Sequence, residues 1–119
     1  MNTKILGERG EKLAARYLQK KKYVILARNF RTKLGEIDLI ARDKDCVCFV
    51  EVKTRRSWDV PQEAVAWQKQ RKLVRLAQSY LKQNYQSVDV RCRFDVVAIE
   101  EQGDGKHKIE FIENAFEAS

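Results

Sequence analysis

Three charged side chains with the potential for chemistry lie close together in one part of the chain. Asp38, Glu51 and Lys53 are set into two apolar runs, residues 37–41 and 47–52, whose separation by a polar turn predicts a β-hairpin. Carboxylates and ammonium groups can together bind a hard divalent cation and stabilise negative charge on a phosphate. The chemistry therefore depends on whether the hairpin places these residues on one face.

The register of the hairpin follows from the position of its turn. If the turn is centred between Lys44 and Asp45, the numbers of paired residues sum to 89. This register places Asp38 directly opposite Glu51, and opposed residues project from the same face with Cβ atoms about 5 Å apart. Lys53 shares the face of Glu51 because side chains alternate along a strand with a period of two. One face of the hairpin is thus predicted to carry two carboxylates and an ammonium group.

The apolar residues of the hairpin are predicted to face the other way, into a core: Ile37, Leu39, Val50 and Val52. Two opposed carboxylates repel each other, and a hard cation such as Mg²⁺ would remove that repulsion. Lys53 could then orient or deprotonate an attacking water molecule, or neutralise charge on a phosphate. The alternative is a solvated face on which Lys53 forms an ordinary salt bridge with Glu51 or Glu36.

The spacing of the three charged residues matches a known signature. The pattern consists of Asp38, twelve intervening residues and then Glu-Val-Lys, which ends at Lys53. This pattern resembles the PD-(D/E)XK motif of restriction-endonuclease-like proteins. The chain departs from the motif at Ile37, where the signature has proline, the member that takes least part in the chemistry. The resemblance implies metal-dependent hydrolysis of phosphodiesters.

Length and composition predict one domain, residues 1–112, followed by an acidic tail, residues 113–119. The chain has no apolar run of 18 residues and no signal-peptide pattern, because charged residues occur from Lys4 onward. We therefore expect a cytoplasmic protein that does not associate with a membrane. Three cysteines and the single histidine, His107, do not form a zinc motif, and we expect the cysteines to be reduced packing residues.

Positive charge is concentrated in the middle of the chain. The net charge is +7, and residues 52–93 contain 10 basic and 3 acidic groups, whereas residues 94–119 contain 2 and 7. A basic block directly after the Glu51–Lys53 segment is typical of a protein that binds a polyanion such as nucleic acid. A generic basic surface is the alternative.

Hydrophobic periodicity predicts seven elements in the order α-β-β-β-α-β-β. The predicted helices are residues 3–22 and 62–85, and the predicted strands are residues 23–31, 37–41, 47–52, 93–99 and 108–112. The strand over 93–99 is nearly continuous in apolar residues, so we expect it in the interior of the sheet, with the last strand at an edge. The fold class is α/β, a mixed sheet flanked by two long helices.

The basic residues predicted to contact nucleic acid lie in the loop 54–61 and on the second helix: Arg55, Arg56, Lys69, Arg71, Lys72 and Arg75. Arginine fits phosphate bidentately, and Trp58 in the same loop could stack on a base or cap the edge of the core. A helix face that carries mostly positive charge, directly after the strand with Glu51 and Lys53, favours contact with phosphate. Such a face can also be simply solvated.

Several motifs together resemble the YraN family of small bacterial proteins. They are GERGE (7–11), GEIDLIA (35–41), FVEVKTR (49–55) and RFDVV (93–97), with Asn29 and Lys69. The family is grouped with restriction-endonuclease-like folds near the archaeal Holliday-junction resolvases. The resemblance implies that Asp38 and Glu51 bind metal, that Lys53 is the catalytic lysine, and that Glu11 is a metal- or site-associated residue on the first helix. Glu36 has no counterpart, and the resolvases imply a homodimer.

The first hypothesis for function is a Mg²⁺- or Mn²⁺-dependent endonuclease acting on DNA rather than RNA, on branched or repair intermediates. The second is a protein that binds nucleic acid through the same basic surface without cleaving it. The third is an interaction module whose acidic tail binds a basic partner. The first hypothesis requires Asp38, Glu51 and Lys53, the second only the basic residues, and the third residues 100–119.

Overall fold

A computed structural model describes residues 3–56, 67–86 and 89–117. The elements are α1 (Thr3–Lys20), β1 (Val24–Thr32), β2 (Gly35–Asp43), β3 (Cys46–Arg56), α2 (Trp67–Tyr85), β4 (Cys92–Gly103) and β5 (Lys106–Phe116). The predicted order α-β-β-β-α-β-β and the α/β class are confirmed. Among the described residues, no helix is both long enough and apolar enough to cross a membrane.

The five strands form one sheet in the order β1-β2-β3-β4-β5. Neighbouring strands are antiparallel except β3 and β4, which are parallel. A parallel pair needs a long crossover connection, and the chain segment that contains α2 supplies it. As predicted, the apolar strand β4 is interior and β5 forms an edge.

Each face of the sheet buries a separate apolar cluster. On the face covered by α2, the buried residues include Ile40, Val47, Phe49, Leu73 and Leu76. On the face covered by α1, they include Ala14, Leu18, Leu39, Cys48 and Val50. The alternation of Phe49 and Val50 between the two clusters is the period-two pattern expected of a strand that is buried on both sides.

Helix α1 packs closely on the sheet because a glycine faces the strand beneath it. Leu6, Ala14 and Leu18 are buried at helical spacing, which agrees with the helix predicted over residues 3–22. A Cβ atom added to Gly10 would lie 2.0 Å from Cγ2 of Thr54, so only glycine permits this approach. The close contact sets the distance between the sheet and the next residue of α1, which is Glu11.

Strand β3 is longer than predicted. The sequence placed residues 54–56 in a loop, but they pair in parallel with β4. Arg55 and Glu100 are register partners, and the guanidinium Nη2 donates to the carboxylate at 2.6 Å. The backbone pairing and this ion pair extend the strand. The rest of the predicted loop, including Trp58, and the predicted start of the second helix lie outside the described residues.

Strand β5 also exceeds the predicted range of residues 108–112, and includes part of the predicted acidic tail. The backbone N–H of Asn114 donates to the Asp95 carboxylate at 2.9 Å. The rings of Phe94 and Phe116 stack with centroids 4.8 Å apart. These two contacts attach the end of β5 to β4 and explain its greater length. The domain boundary at residue 112 stays a prediction.

Two of the three cysteines are the packing residues that the sequence predicted. Cys46 and Cys48 are buried under α1, and burial raises the pKa of the Cys48 thiol to about 12. All three cysteines are free thiols. Cys92 is exposed at the start of β4, so its assignment as a packing residue was wrong. As the first residue of β4, Cys92 lies outside both apolar clusters.

Candidate active site

The candidate site lies where β2 and β3 diverge. Their pairing follows the predicted sum of 89 from Asp43 and Cys46 as far as Leu39 and Val50. At the next position, the carboxylate of Asp38 accepts a hydrogen bond of 2.8 Å from the backbone N–H of Val52 on β3. The side chain of Asp38 therefore reaches across the gap between the two strands.

The alternation of side chains along β2 breaks at Asp38. Ile37 is buried in the cluster under α2, whereas Leu39 is buried in the cluster under α1. The prediction that Ile37 shares the face of Leu39 was therefore wrong. Asn29, which lies opposite Asp38 in the β1–β2 register, has a φ of 54°. The irregularity on both strands lets the Asp38 side chain approach groups from both faces of the sheet.

Three carboxylates converge at this irregularity. Glu11 from α1, Glu36 from β2 and Asp38 each offer an oxygen atom, and these atoms lie within 4.8 Å of one another. All three side chains are half-buried. A set of carboxylate oxygens without nitrogen or sulfur donors suits a hard cation such as Mg²⁺ or Mn²⁺. The chemistry of the donors thus fits the metal that the sequence analysis predicted.

Glu51 lies on the α2 side of the same region. It is only 6% exposed, and the ammonium group of Lys69 from α2 donates a hydrogen bond to its Oε1. Asp38 and Glu51 line a common cavity of about 460 Å³, together with Lys69 and Lys72. A buried carboxylate is normally paired, and Lys69 fills that role here. The two predicted metal ligands therefore share a cavity, with one of them in an ion pair.

Lys53 follows Glu51 by two residues on β3. The pairing of β3 with β4 runs without interruption from Val47 to Arg56, so alternation places Lys53 on the face of Glu51. Thr54 contacts α1 on the opposite face, which agrees with this assignment. The side chain of Lys53 is half-buried.

Burial and the negative charge of neighbouring carboxylates raise the pKa of two acids of the site, Asp38 and Glu11. Burial, with the negative charge of Glu51 as the next contribution, raises the pKa of Asp38 to about 7. Burial and the charge of Glu36 raise the pKa of Glu11, and the side-chain hydrogen bond with Asn29 opposes that rise. Carboxylates held at a raised pKa gain most from a bound cation, because the cation relieves both the desolvation and the repulsion.

The predicted nucleic-acid contacts occupy different surfaces. Arg55 is engaged with Glu100 on β4, and Arg56 lies at the end of β3. Lys69 and Lys72 line the cavity with the acids. The remaining two, Arg71 and Arg75, line a separate groove on the other side of α2.

Glu36 is a site residue that was not predicted from the sequence. Its position two residues before Asp38 would place the two side chains on one face of a strand, which is the signal that could have indicated it. The structure also shows Glu36 in a salt bridge of 2.8 Å with Nε of Arg31 on β1. Asn29, noted only as part of a family motif, contacts Glu11 and is the second residue whose place in the site was missed.

A second polar cluster lies near the other end of β2. Arg93 donates from Nε to both oxygens of Asp95 at 3.0 Å and from Nη2 to the Tyr23 hydroxyl at 2.6 Å. Arg93 also forms an ion pair of 3.4 Å with Asp43. Asp95 is 1% exposed, and burial raises its pKa. These contacts tie β4 to β2 and to the residue that precedes β1, so we assign the cluster a structural role.

The fold and the site define a mixed α/β protein with a cluster of carboxylates where two sheet strands diverge, beside a helix with basic residues. The chain belongs to the uncharacterised protein family UPF0102, whose family model matches residues 10–99. This membership confirms the resemblance to the YraN family. The matched range contains all five charged residues of the site, namely Glu11, Glu36, Asp38, Glu51 and Lys53.

Relatives from several bacteria match over almost the whole chain. A UPF0102 protein of Geobacter sulfurreducens is 48% identical over 118 residues, which cover 98% of this chain and 91% of the relative. One of Symbiobacterium thermophilum is 50% identical over 115 residues, covering 95% and 97%. One of Aliivibrio fischeri is 48% identical over 117 residues, covering 96% and 93%.

Proposed function

We propose that the chain is a Mg²⁺- or Mn²⁺-dependent endonuclease that hydrolyses phosphodiester bonds in nucleic acid, with DNA as the first candidate substrate. The observation that supports this proposal most directly is the convergence of Glu11, Glu36 and Asp38 beside a cavity that also contains Glu51. A fold does not define an activity, so the proposal depends on the site. Its setting is the cytoplasm, and branched or repair intermediates are the proposed substrates.

Asp38 is the proposed central metal ligand. Glu36 and the predicted partner Glu51 line the same cavity as Asp38, and Glu11 completes the set of three carboxylates with Glu36 and Asp38. A divalent cation held by these carboxylates would supply a Lewis acid and lower the pKa of a bound water molecule. The hydrogen bond from Val52 to Asp38 fixes the carboxylate relative to β3. Such support from the backbone keeps the ligand oriented between turnovers.

Three lysines have separate proposed roles, namely Lys53 on β3 and the two cavity lysines of α2. Lys53 would hold or accept a proton of the attacking water molecule, or neutralise the charge that develops on the phosphate. Lys69 and Lys72 line the cavity on the α2 side, where they can attract the phosphate group of the substrate. Lys69 would exchange its ion pair with Glu51 for a contact with phosphate when substrate and cation enter.

The second candidate function is nucleic-acid binding without cleavage. The ion pair between Lys69 and Glu51 favours it, because a buried carboxylate with a lysine partner is stable without a metal. This candidate needs only the basic residues, and it predicts that loss of the acids leaves binding intact. The two functions therefore differ in what the acids do.

The test is a cleavage assay with labelled single-stranded, duplex, flap and four-way DNA and with RNA, in Mg²⁺ or Mn²⁺ and in EDTA. We expect cation-dependent cleavage by the wild type and none by Lys53→Ala. The Lys106→Ala variant removes an exposed lysine of β5 and should cleave as the wild type does. Equal cleavage by the Lys53→Ala preparation would reveal a contaminating nuclease. Binding without cleavage of any substrate would reject the nuclease in favour of the second candidate.

A further inference from the structure

Trp67, the first residue of α2, is unusually exposed. Its exposed fraction is 63%, whereas the other exposed large hydrophobic residues of the described chain range from 39% to 46%. An indole at the surface loses the favourable burial of a large apolar area, so folding alone does not account for its position. From the sequence, Trp58 was the tryptophan expected to stack on a base, and Trp67 was not predicted to do so.

The surroundings of Trp67 are suited to an aromatic and anionic ligand. The guanidinium carbon of Arg71, one turn later on α2, lies 4.9 Å from the centroid of the ring. Trp67 lines a groove of about 210 Å³ with Arg71, Arg75, Gln78 and Glu117. A flat indole in contact with one guanidinium group, in a groove that a second one also lines, offers a stacking surface for a base and positive charge for the flanking phosphates.

Helix α2 separates this groove from the acid-lined cavity. Residues 68, 69 and 72 line the cavity, whereas residues 67, 71 and 75 line the groove. The two sets alternate along the same two turns of one helix, and the exposed consecutive residues Arg71 and Lys72 join the groove to the cavity over the outer surface of α2. A strand that crosses α2 could therefore place a phosphate near Lys69 and Lys72 and an adjacent base on Trp67.

We propose that Trp67 and Arg71 form a stacking platform for an unpaired base, and that the substrate of the site is nucleic acid with an unpaired nucleotide beside the cleaved phosphodiester. This inference rests on the proposed function and narrows its substrate class. Bases in a continuous duplex are stacked on one another and do not present a free face. The platform would therefore select single strands, flaps and branch points over blunt duplex.

The test compares Trp67→Ala and Arg75→Gln with the wild type in EDTA, where binding is measured without cleavage. Fluorescence anisotropy is recorded with single-stranded, flapped and blunt duplex oligonucleotides of equal length, in DNA and RNA versions. Loss of one base stack reduces affinity by roughly tenfold. We expect Trp67→Ala to lose about that factor for single strands and flaps and less than about twofold for duplex. Arg75→Gln removes only charge and should weaken all ligands by a similar factor.

The Arg71→Lys variant separates stacking from charge. It keeps the positive charge but lacks the planar guanidinium, so we expect it to lose part of the preference for unpaired strands with an unchanged salt dependence. The idea is overturned if Trp67→Ala weakens duplex and single strands equally or weakens neither, or if the wild type binds no nucleic acid.

Cleavage assays in Mn²⁺ with the same proteins distinguish this inference from the proposed function. Cleavage without a selective binding loss in Trp67→Ala refutes the platform alone. A selective binding loss without cleavage refutes the nuclease alone, and the platform then belongs to the non-catalytic binding function.

Discussion

Asp38 connects three structural elements although it belongs to only one of them. It accepts a hydrogen bond from Val52 on β3, and its oxygen lies close to those of Glu11 on α1 and Glu36. The position costs stability, because a half-buried carboxylate beside other carboxylates is poorly solvated and repelled. A fold that retains such an arrangement at a cavity is typical of a functional site.

The cost can be measured through the pH dependence of stability. The pKa of Asp38 is about 7 in the folded protein and near its ordinary value of about 3.9 in the unfolded chain. Between these values the folded state binds more protons, so the contribution of Asp38 to stability falls as the pH rises through this range. We expect Asp38→Asn to stabilise the protein by about 1–3 kcal/mol at about pH 8 and to add little at about pH 4. Urea denaturation of the wild type and of Asp38→Asn at a series of pH values measures the difference in stability at each pH.

The control for this prediction is Asp38→Ala. Asparagine keeps an oxygen that accepts the Val52 hydrogen bond, whereas alanine leaves that N–H without its partner and should destabilise the protein relative to Asn. Millimolar Mn²⁺ should raise the melting temperature of the wild type by mass action and have less effect on Asp38→Asn. An unchanged melting temperature in both proteins would favour the ordinary salt-bridge interpretation of the site.

Glu51 is expected to oppose substrate binding until a cation is present. Its carboxylate forms an ion pair with Lys69, which is one of the lysines available to a phosphate. Glu51→Ala should therefore abolish cleavage and yet bind DNA in EDTA as tightly as the wild type or more tightly. The matched Lys69→Met variant should bind DNA more weakly. Weaker binding by Glu51→Ala in a correctly folded protein would show that Glu51 supports the nucleic-acid surface.

At the scale of elements, the local hairpin could be predicted and its distant partners could not. The register from Asp43 to Leu39 follows from the turn, so Asp38 and Glu51 could be placed near one another from the sequence. The break in alternation at Asp38 involves Asn29 on β1 and Glu11 on α1, and no short-range pattern records such contacts. Only the family resemblance placed Glu11 in the site.

The lengths of the strands also depend on contacts between distant parts of the chain. Residues 54–56 are polar and were predicted as a loop, but they pair with residues of β4 that lie 45 positions further along the chain. The Lys69–Glu51 pair likewise joins residues 18 positions apart through the packing of α2 on the sheet. Contacts between residues far apart in the chain therefore set the length of β3 and form the Lys69–Glu51 pair, and the hydrophobic periodicity of the sequence could predict neither.

The packing of α1 provides a prediction at this scale. Gly10→Ala gains helix propensity of about 1 kcal/mol, but its methyl group would collide with Thr54 and move α1 away from the sheet. Overpacking costs about 1–3 kcal/mol, so we expect net destabilisation. Gly7→Ala is the matched control, because nothing lies within 4 Å of its added Cβ and only the propensity gain remains. Thermal denaturation of both variants measures the difference in stability. Equal stability of the two would contradict the close packing of α1 on Thr54.

At the scale of the whole molecule, charge is distributed unevenly over the sheet and its helices. The basic residues of α2 lie on the side of the sheet where Glu51 faces the cavity, whereas the last strands carry most of the acidic excess. The Arg93–Asp95 cluster ties β4 to β2 and to the residue before β1, so it helps to hold together the scaffold that carries both regions. Nucleic acid should therefore bind over α2 and avoid β5.

The salt dependence of binding tests whether nucleic acid binds over α2 and not over β5. Each phosphate contact on duplex DNA contributes about −0.9 to the slope of log affinity against log salt concentration. Replacing Arg71 and Arg75 with glutamine should weaken binding and flatten the slope by roughly one to two units. Replacing Lys106 and Lys108 on β5 with glutamine removes the same formal charge and should leave the slope nearly unchanged. A wild-type slope near zero would mean that the positive charge is only solvated surface, and the proposed nuclease would then lack its means of holding a substrate.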